Sequence, residues 1–301
     1  MYDLIIIGAG PAGITAAVYA ARKKMDFLVL TGDIGGQTIW SSNVENYTGY
    51  QFITGVELAQ KFEEHMRQYK ISVRENEPVI SLEKAKDFFT LTTAKAVYQS
   101  RTVIIASGKR SRELGVAGEK EFRNKGLTYC ATCDGPLFSG KDVAIVGNGN
   151  SALDAALQMV RISPRVYIIN KVSSLSGDAV MREKAISAKN ITVINDATVT
   201  EILGDKLVTK IRIKRNRSLE EIPVQGVFVE IGLIPNSDFA SLVKKNDLGE
   251  LEVDCRNSTS VEGIFAAGDV TSVPEKQIII AAGEGAKAAL SSFRYLAGHK
   301  F

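Results

Sequence analysis

Asp3-Leu4-Ile5-Ile6-Ile7-Gly8-Ala9-Gly10-Pro11-Ala12-Gly13 begins as an apolar run and ends in a Gly-x-Gly-x-x-Gly turn. An Ala-rich stretch continues to about Lys24, and Phe27-Leu28-Val29-Leu30 follows. The order predicts strand, tight turn, helix and strand, the unit whose helix start presents free amides and a positive dipole end to a pyrophosphate. Gly8 permits the turn, Gly10 lets a pyrophosphate approach the backbone, and Gly13 lets helix and strand pack closely. A glycine turn between packed elements would leave the same trace without a ligand. The flanking strand and helix favour a dinucleotide.

The plan recurs. Asp142-Val143-Ala144-Ile145-Val146 leads into Gly147-Asn148-Gly149-Asn150-Ser151-Ala152, then a helix through about Val160 and the strand Val166-Tyr167-Ile168-Ile169. This turn is the weaker Gly-x-Gly-x-x-Ala, with Gly147, Gly149, Asn150 and Ser151 as candidate contacts to a pyridine nucleotide. Two such units in one chain predict an α/β protein of two Rossmann-like three-layer nucleotide-binding domains, one for a flavin and one for a nicotinamide. A solenoid is excluded because its repeats are far shorter. Val261-Glu262-Gly263-Ile264-Phe265-Ala266-Ala267-Gly268-Asp269-Val270 reads as a buried strand ending in Gly-Asp, or as a strand and an ordinary turn.

The 301 residues suffice for two domains, and 45% apolar with 24% charged content is that of a globular protein. A formal charge of +3 gives no reason to expect nucleic acid or an anionic membrane as partner. The apolar strand starts almost at Met1, without a basic leader, and no uncharged run would span a bilayer, so a cytoplasmic address is the expectation. Two of the three cysteines form Cys130-Ala131-Thr132-Cys133. In a reducing compartment that spacing reads as a redox pair or as half of a metal site. Zinc needs about four ligands. Cys255, His65 and His299 lie scattered without ligand spacing, so no metal is expected.

With these segments and Cys130-Ala131-Thr132-Cys133-Asp134-Gly135 in view, the chain resembles the low-molecular-weight thioredoxin reductases along essentially its whole length. Residues 226–236 look like the linker strand of that family, and residues 263–290 are especially similar to the flavoprotein subunit of alkyl hydroperoxide reductase. The resemblance implies the two-dinucleotide-binding flavoprotein fold, FAD as cofactor and a homodimer. It also implies a discontinuous FAD domain from residues 1–112 and 244–301. A pyridine-nucleotide-type domain over residues 113–243 carries the cysteines, and swivel points fall near 113–115 and 242–245. The family's FAD contacts map onto Gly8, Gly10, Ala12, Gly13, Gly35, Gly36, Gln37, Asn46 and Gly108, and onto Asp269, Gln277 and Ile278 near the flavin. Thr31 stands where many dinucleotide folds place an acidic residue for the ribose.

A helix starting at the cysteine pair would put its sulfurs one turn apart and lower a thiol pKa through its amides and dipole. By resemblance, reduced flavin passes electrons to the Cys133 side, Cys130 attacks the partner's disulfide, and Cys133 resolves the mixed disulfide. Asp134 matches the family's acid/base carboxylate; a helix cap or turn residue is the alternative reading, compatible with that role. His65 and His299 read as surface residues, so no histidine does the proton work, and Cys255 reads as a structural thiol.

The electron donor departs from the pattern. NADPH-using members follow the second turn with a His-Arg-Arg motif and a further arginine that grip the 2′-phosphate. Here the stretch is Ile169-Asn170-Lys171-Val172-Ser173-Ser174-Leu175-Ser176-Gly177. Neither those arginines nor a carboxylate for a 2′-hydroxyl is present. Each missing charged hydrogen bond costs about 1.5–3 kcal/mol. The expected donor is NADH held weakly, or ferredoxin, with NAD(P)H left open. The basic stretch at residues 210–217 could dock an acidic donor, but reads more simply as a solvated hairpin with alternate residues inward. The expected acceptor is thioredoxin or a thioredoxin-like protein. A peroxiredoxin or glutaredoxin-like disulfide protein, supplied as a separate polypeptide, is the alternative, and a flavin-binding redox sensor the alternative of another class.

Overall fold

The computed structural model describes residues 1–41 and 44–299. The chain folds as two compact units, one formed by Met1–Arg110 with Ile234–Phe301 and the other by Ser111–Leu233.

In the first unit the strand Tyr2–Ala9 lies between Phe27–Ile34 and Val97–Ile105, parallel to both. Ser72–Arg74 extends the parallel sheet beyond Phe27–Ile34, and Ile264–Ala266 pairs with Val97–Ile105. The hairpin Val79–Lys84 and Phe89–Thr93 joins antiparallel to the start of Val97–Ile105. Both faces of the central strand are buried, which is why its sequence is continuously apolar. Leu4 and Ile6 pack with Ile14, Ala16, Ala17 and Ala20 of the helix Pro11–Arg22. Ile5 and Ile7 face Leu82, Leu91 and Val103 on the other side. Burying each such side chain contributes about 1.5–3 kcal/mol. The long helix Ile278–Gly298 lies against Pro11–Arg22, and the closeness of the two is set by small residues, Gly285 passing against the Ala12 carbonyl.

The second unit repeats the parallel plan. Its strand order is Ile191–Ile194, Val166–Ile169, Val143–Val146, Gly226–Val229 and Leu127–Thr128, all parallel. The helix Asn150–Met159 follows the glycine turn. A separate antiparallel sheet holds Ala197–Gly204, Val208–Arg215 and Ser218–Pro223. Each predicted strand, turn and helix of the two glycine motifs is present in order.

The return into the first unit at Ile234 comes earlier than the expected residue 244. Packing explains the difference. Ala240 and Val243 are buried with Leu82, Leu91 and Leu251, and the Leu82 amide donates to the Phe239 carbonyl at 3.2 Å. Residues 242–245, expected as a swivel point, lie within the first unit, with Val243 in its core and Lys244 exposed, whereas 113–115 lie just past the outward crossing. Cys255, expected as a structural thiol, is instead exposed, at the second position of the turn Asp254–Asn257. His65 and His299 are both exposed. Among the described residues no group of three or more His, Cys, Asp or Glu could hold a metal ion, and no helix is long and apolar enough to cross a membrane.

The basic stretch is the end of the strand Val208–Arg215 and the turn after it, and its first two charges are answered within their own sheet. Ile211 and Ile213 are fully buried, Lys210 pairs with Glu221 at 2.5 Å, and Arg212 bridges Glu201 and Glu221. The hairpin turns at Asn216 and Arg217, both at positive φ.

Candidate active site

Four constellations carry chemistry, two in each unit. The first glycine turn is built by close approach. Gly8 has φ +103°, and a Cβ there would stand 2.3 Å from the Ala106 carbonyl oxygen. A Cβ on Gly13 would stand 1.9 Å from the Gly8 oxygen. Gly10 and Gly36 differ: a Cβ on Gly10 would meet nothing nearer than the Gly36 Cα at 3.9 Å, and one on Gly36 would stand 3.2 Å from the Gly10 Cα, so two backbones bare of side chains lie side by side and floor a slot over the helix start. Gly10 caps the helix without any side-chain hydrogen bond, and Pro11 occupies the first turn, where its missing N–H costs nothing. A side-chain-free slot at an uncapped helix start fits a dinucleotide diphosphate. Thr31, by contrast, is buried and engaged with its own backbone, accepting from the Ala9 amide at 3.2 Å and donating to the Asp33 carbonyl.

The remaining expected flavin contacts converge on the same unit. Gly35 and Gly36 follow the second strand with positive φ, and Gln37 donates to the Lys109 carbonyl beside Gly108 at 2.5 Å. Asn46 donates to Gln277 at 3.0 Å, just before the helix that starts at Ile278. Asp269 follows Gly268, whose amide donates to the buried Glu284 at 2.7 Å. Burial raises the Asp269 pKa above the ordinary carboxylate value, against the pull of Lys276 and Lys109.

In the second unit Cys130 and Cys133 are bonded to one another, with Cα atoms 5.3 Å apart. The strand Leu127–Thr128 delivers Cys130 in extended conformation to the start of a single helical turn, Ala131–Asp134. The Cys133 amide donates to the Cys130 sulfur at 3.2 Å, and the Cys130 amide to the Thr128 hydroxyl at 3.2 Å. That hydroxyl donates in turn to Asp134, which is 3% exposed, so a carboxylate lies under the sulfur pair and is oriented by the strand that precedes it. Asp134 closes this turn and stands at the N-cap position of the next one, Gly135–Phe138, without a side-chain cap hydrogen bond. Tyr129 donates to Glu119 at 2.9 Å, and Glu119 also accepts from the Leu114 and Gly115 amides at 2.7 Å each, tying the residue before Cys130 to the crossing segment.

Glu230 is the residue the sequence reading missed. It follows the buried strand Gly226–Val229 and accepts from the Ala131 amide at 3.4 Å, while its own carbonyl lies against Gly147 as the Ala106 carbonyl lies against Gly8. Burial pushes its carboxyl up to about 8, with Asp154 adding to the rise. A Glu closing an otherwise apolar strand, Val227-Phe228-Val229-Glu230-Ile231, was the available signal. Its effect on stability has a definite sign. Below 4.5, the ordinary value, folded and unfolded chains both carry the proton; between 4.5 and about 8 only the unfolded chain ionises, so stability falls as pH rises through that window. Glu230→Gln is expected to be more stable than the parent by about 2–3 kcal/mol at pH 7 and equal to it at pH 4. Urea melts at the two pH values check this, and an unchanged difference between them would exclude a buried neutral Glu230.

The second glycine turn places Gly147, Gly149, Asn150 and Ser151 at the start of the helix Asn150–Met159, again without a side-chain cap. Ser176 donates to the Asn148 carbonyl from both its amide and its hydroxyl, and the Asp178 amide donates to Asn150. Asn170 is fully buried, donating to Asn195 at 2.9 Å and accepting from the Val172 amide at 3.1 Å. Lys171 is exposed. The strand end thus offers neither a carboxylate nor a guanidinium.

A family model described as pyridine nucleotide-disulphide oxidoreductase matches residues 2–285. Among curated proteins, the chain is 42% identical over 299 residues to a Bacillus subtilis protein named NADH dehydrogenase, covering 98% of this chain and 58% of that one. It is also 42% identical over 302 residues to a Pseudomonas putida protein named as a subunit of alkyl hydroperoxide reductase, with 98% and 58% covered. The chain therefore spans little more than half the length of these relatives. Among solved structures, thioredoxin reductase from Streptococcus pyogenes is similar with a TM-score of 0.92 at 34% identity, 99% of each chain covered. A ferredoxin-flavin thioredoxin reductase from Clostridium acetobutylicum is similar with a TM-score of 0.56 at 31% identity, covering 99% and 98%.

Proposed function

The chain belongs to the pyridine nucleotide-disulphide oxidoreductase family and is an FAD-dependent oxidoreductase, and from that premise we propose that it reduces the disulfide of thioredoxin or a thioredoxin-like protein through Cys130 and Cys133. The bonded pair at the start of a helical turn, with the buried Asp134 held beside it by Thr128, carries this reading.

FAD, when bound, supplies the electron pair. Cys133 accepts it, which opens the bond to Cys130. Cys130 then attacks one sulfur of the partner's disulfide, and the other partner sulfur leaves. Cys133 displaces the partner from Cys130, which restores the Cys130–Cys133 bond and frees a dithiol. Asp134 holds and hands over the proton that the departing thiolate needs, a contribution of about 10²–10⁴-fold in rate. The first unit, with Gly8, Gly10, Ala12, Gly13, Gly35, Gly36, Gln37, Asn46, Gly108, Asp269, Gln277 and Ile278, seats the FAD. The functional form is a homodimer.

For the donor, the uncapped helix start at Gly149 supports a nicotinamide dinucleotide, and the uncharged strand end at Asn170 supports NADH over NADPH. A relative named NADH dehydrogenase agrees with this choice. Ferredoxin is the second reading, supported by the likeness to a ferredoxin-flavin thioredoxin reductase. Within residues 210–217, Lys210 and Arg212 are answered by Glu201 and Glu221, which leaves Lys214, Arg215 and Arg217 as the exposed cations an acidic donor could meet. In an anaerobic titration of the holoenzyme, NADH is expected to bleach the flavin at lower concentrations than NADPH, and NADPH to require concentrations at least about 100-fold above those of an arginine-bearing site, since two lost charged hydrogen bonds are worth about 3 kcal/mol. Rapid bleaching by micromolar NADPH would overturn the assignment, and bleaching by reduced ferredoxin alone would move it to the second reading. Acceptor choice is tested in parallel with thioredoxin and with a peroxiredoxin, the latter being the alternative suggested by the alkyl hydroperoxide reductase likeness.

A further inference from the structure

Two ammonium groups lie among the residues that seat the flavin, and neither belongs to a glycine motif. Lys109 follows Gly108 and is only 8% exposed; its ammonium pairs with Glu250, itself 6% exposed. Lys276, immediately before Gln277, reaches the same Glu250 oxygen at 3.4 Å and donates to the Thr271 carbonyl at 2.6 Å. Asn246 donates to the other Glu250 oxygen at 2.6 Å. Gln37 holds the Lys109 carbonyl at 2.5 Å, so the backbone of the cluster is joined to the Gly35-Gly36-Gln37 turn. One carboxylate is thus shared by two cations. Burial would raise the Glu250 pKa, but hydrogen bonds from Lys109 and Asn246 and both lysine charges outweigh it and keep the group ionised. Asp269 feels both lysine charges, and burial raises its pKa against their pull, while burial and Lys109 lower that of Lys276. Lys109, Lys276 and Glu250 by themselves place two ammonium groups against one carboxylate in a partly dry place, an arrangement that a further negative group stabilises.

We propose that Lys109 and Lys276, held by Glu250, are positioning residues that set the reduction potential of the bound flavin by favouring its reduced, negatively charged form. This rests on the reading that Gly108, Asp269, Gln277 and Ile278 hold FAD. The charge count is simple: two-electron reduction of the ring with uptake of one proton leaves one negative charge, and the electrons come from the nicotinamide or protein donor already named. A fixed positive charge in a low-dielectric site stabilises that product and leaves the neutral oxidised ring nearly unaffected.

Sulfite affinity of the oxidised holoenzyme, together with the flavin potential measured against a reference dye, tests the idea without turnover. Sulfite adds an electron pair and a negative charge to the ring, so its binding reads the same field. Lys109→Met is expected to bind sulfite roughly tenfold more weakly and to have a lower potential, and Glu250→Gln to shift both in the opposite direction. Lys109→Met combined with Glu250→Gln removes both members of the buried pair and should return within about threefold of the parent. Should a single variant fail to fold, Lys276→Gln removes the other ammonium and predicts the same sign as Lys109→Met. Flavin-loaded variants whose sulfite affinity and potential match the parent would overturn the proposal alone. A parent protein that takes up no flavin would instead sink the FAD seat on which it rests.

Discussion

Gly13→Ala is expected to lose both flavin and fold stability, whereas Gly10→Ala loses flavin alone. The two glycines share one turn but meet different surroundings. A Cβ on Gly13 would stand 1.9 Å from the Gly8 oxygen and 2.8 Å from its carbonyl carbon, so the helix Pro11–Arg22 would have to lift from the turn and from the sheet beneath it. That displacement opens the packing of Ile14, Ala16 and Ala17 against Leu4 and Ile6, for a cost of about 4 kcal/mol or more, a large part of a domain's margin. A Cβ on Gly10 meets nothing nearer than 3.9 Å, and the backbone φ of −80° suits any residue. It does fill the slot facing Gly36, where a diphosphate must approach the amides. Thermal melts should therefore leave Gly10→Ala near the parent while equilibrium dialysis shows FAD bound at least about 100-fold more weakly, the loss of roughly two charge-assisted hydrogen bonds. Full flavin retention by Gly10→Ala would remove the first turn as the diphosphate seat.

Cys130→Ser and Cys133→Ser should each reduce disulfide turnover by at least about 10³-fold, because the exchange chemistry requires both sulfurs and a hydroxyl replaces neither. The two variants should differ in what they accumulate. With Cys133 gone, Cys130 still attacks a partner disulfide but nothing resolves the product, so a covalent partner adduct persists in denaturing gels run without reductant. With Cys130 gone, the adduct forms poorly or not at all. Flavin reduction by the donor should continue in both, since the proposed FAD contacts belong to the first unit and the cysteines to the second. Equal adduct formation by the two variants would reverse the assigned roles of the sulfurs, and undiminished turnover in either would exclude the thiol route.

The parts of the molecule legible in one dimension are those made by neighbours in sequence. The run Leu4-Ile5-Ile6-Ile7, the turn at Gly8, Gly10 and Gly13 and the Ala-rich helix are local, because strand propensity, positive φ and close helix packing each act over a few residues. The same holds for the second turn and for the cysteine pair, whose spacing alone allows the bond between them. Family, fold class and redox chemistry followed from these stretches.

What needed three dimensions was every feature made by residues distant in the chain. Lys109 and Glu250 meet only because segments 141 residues apart in the chain converge in the first unit. Glu230 becomes a half-buried acid beside Ala131 because its strand runs parallel to Leu127–Thr128, which leads to Ala131, not because of any neighbour in sequence. The boundary at Ile234, and the placement of Ala240 and Val243 in the first core, depend on which hydrophobic surface those residues find. Charge burial and core membership are sums over all surrounding atoms, and a linear pattern records only the few that are covalently near.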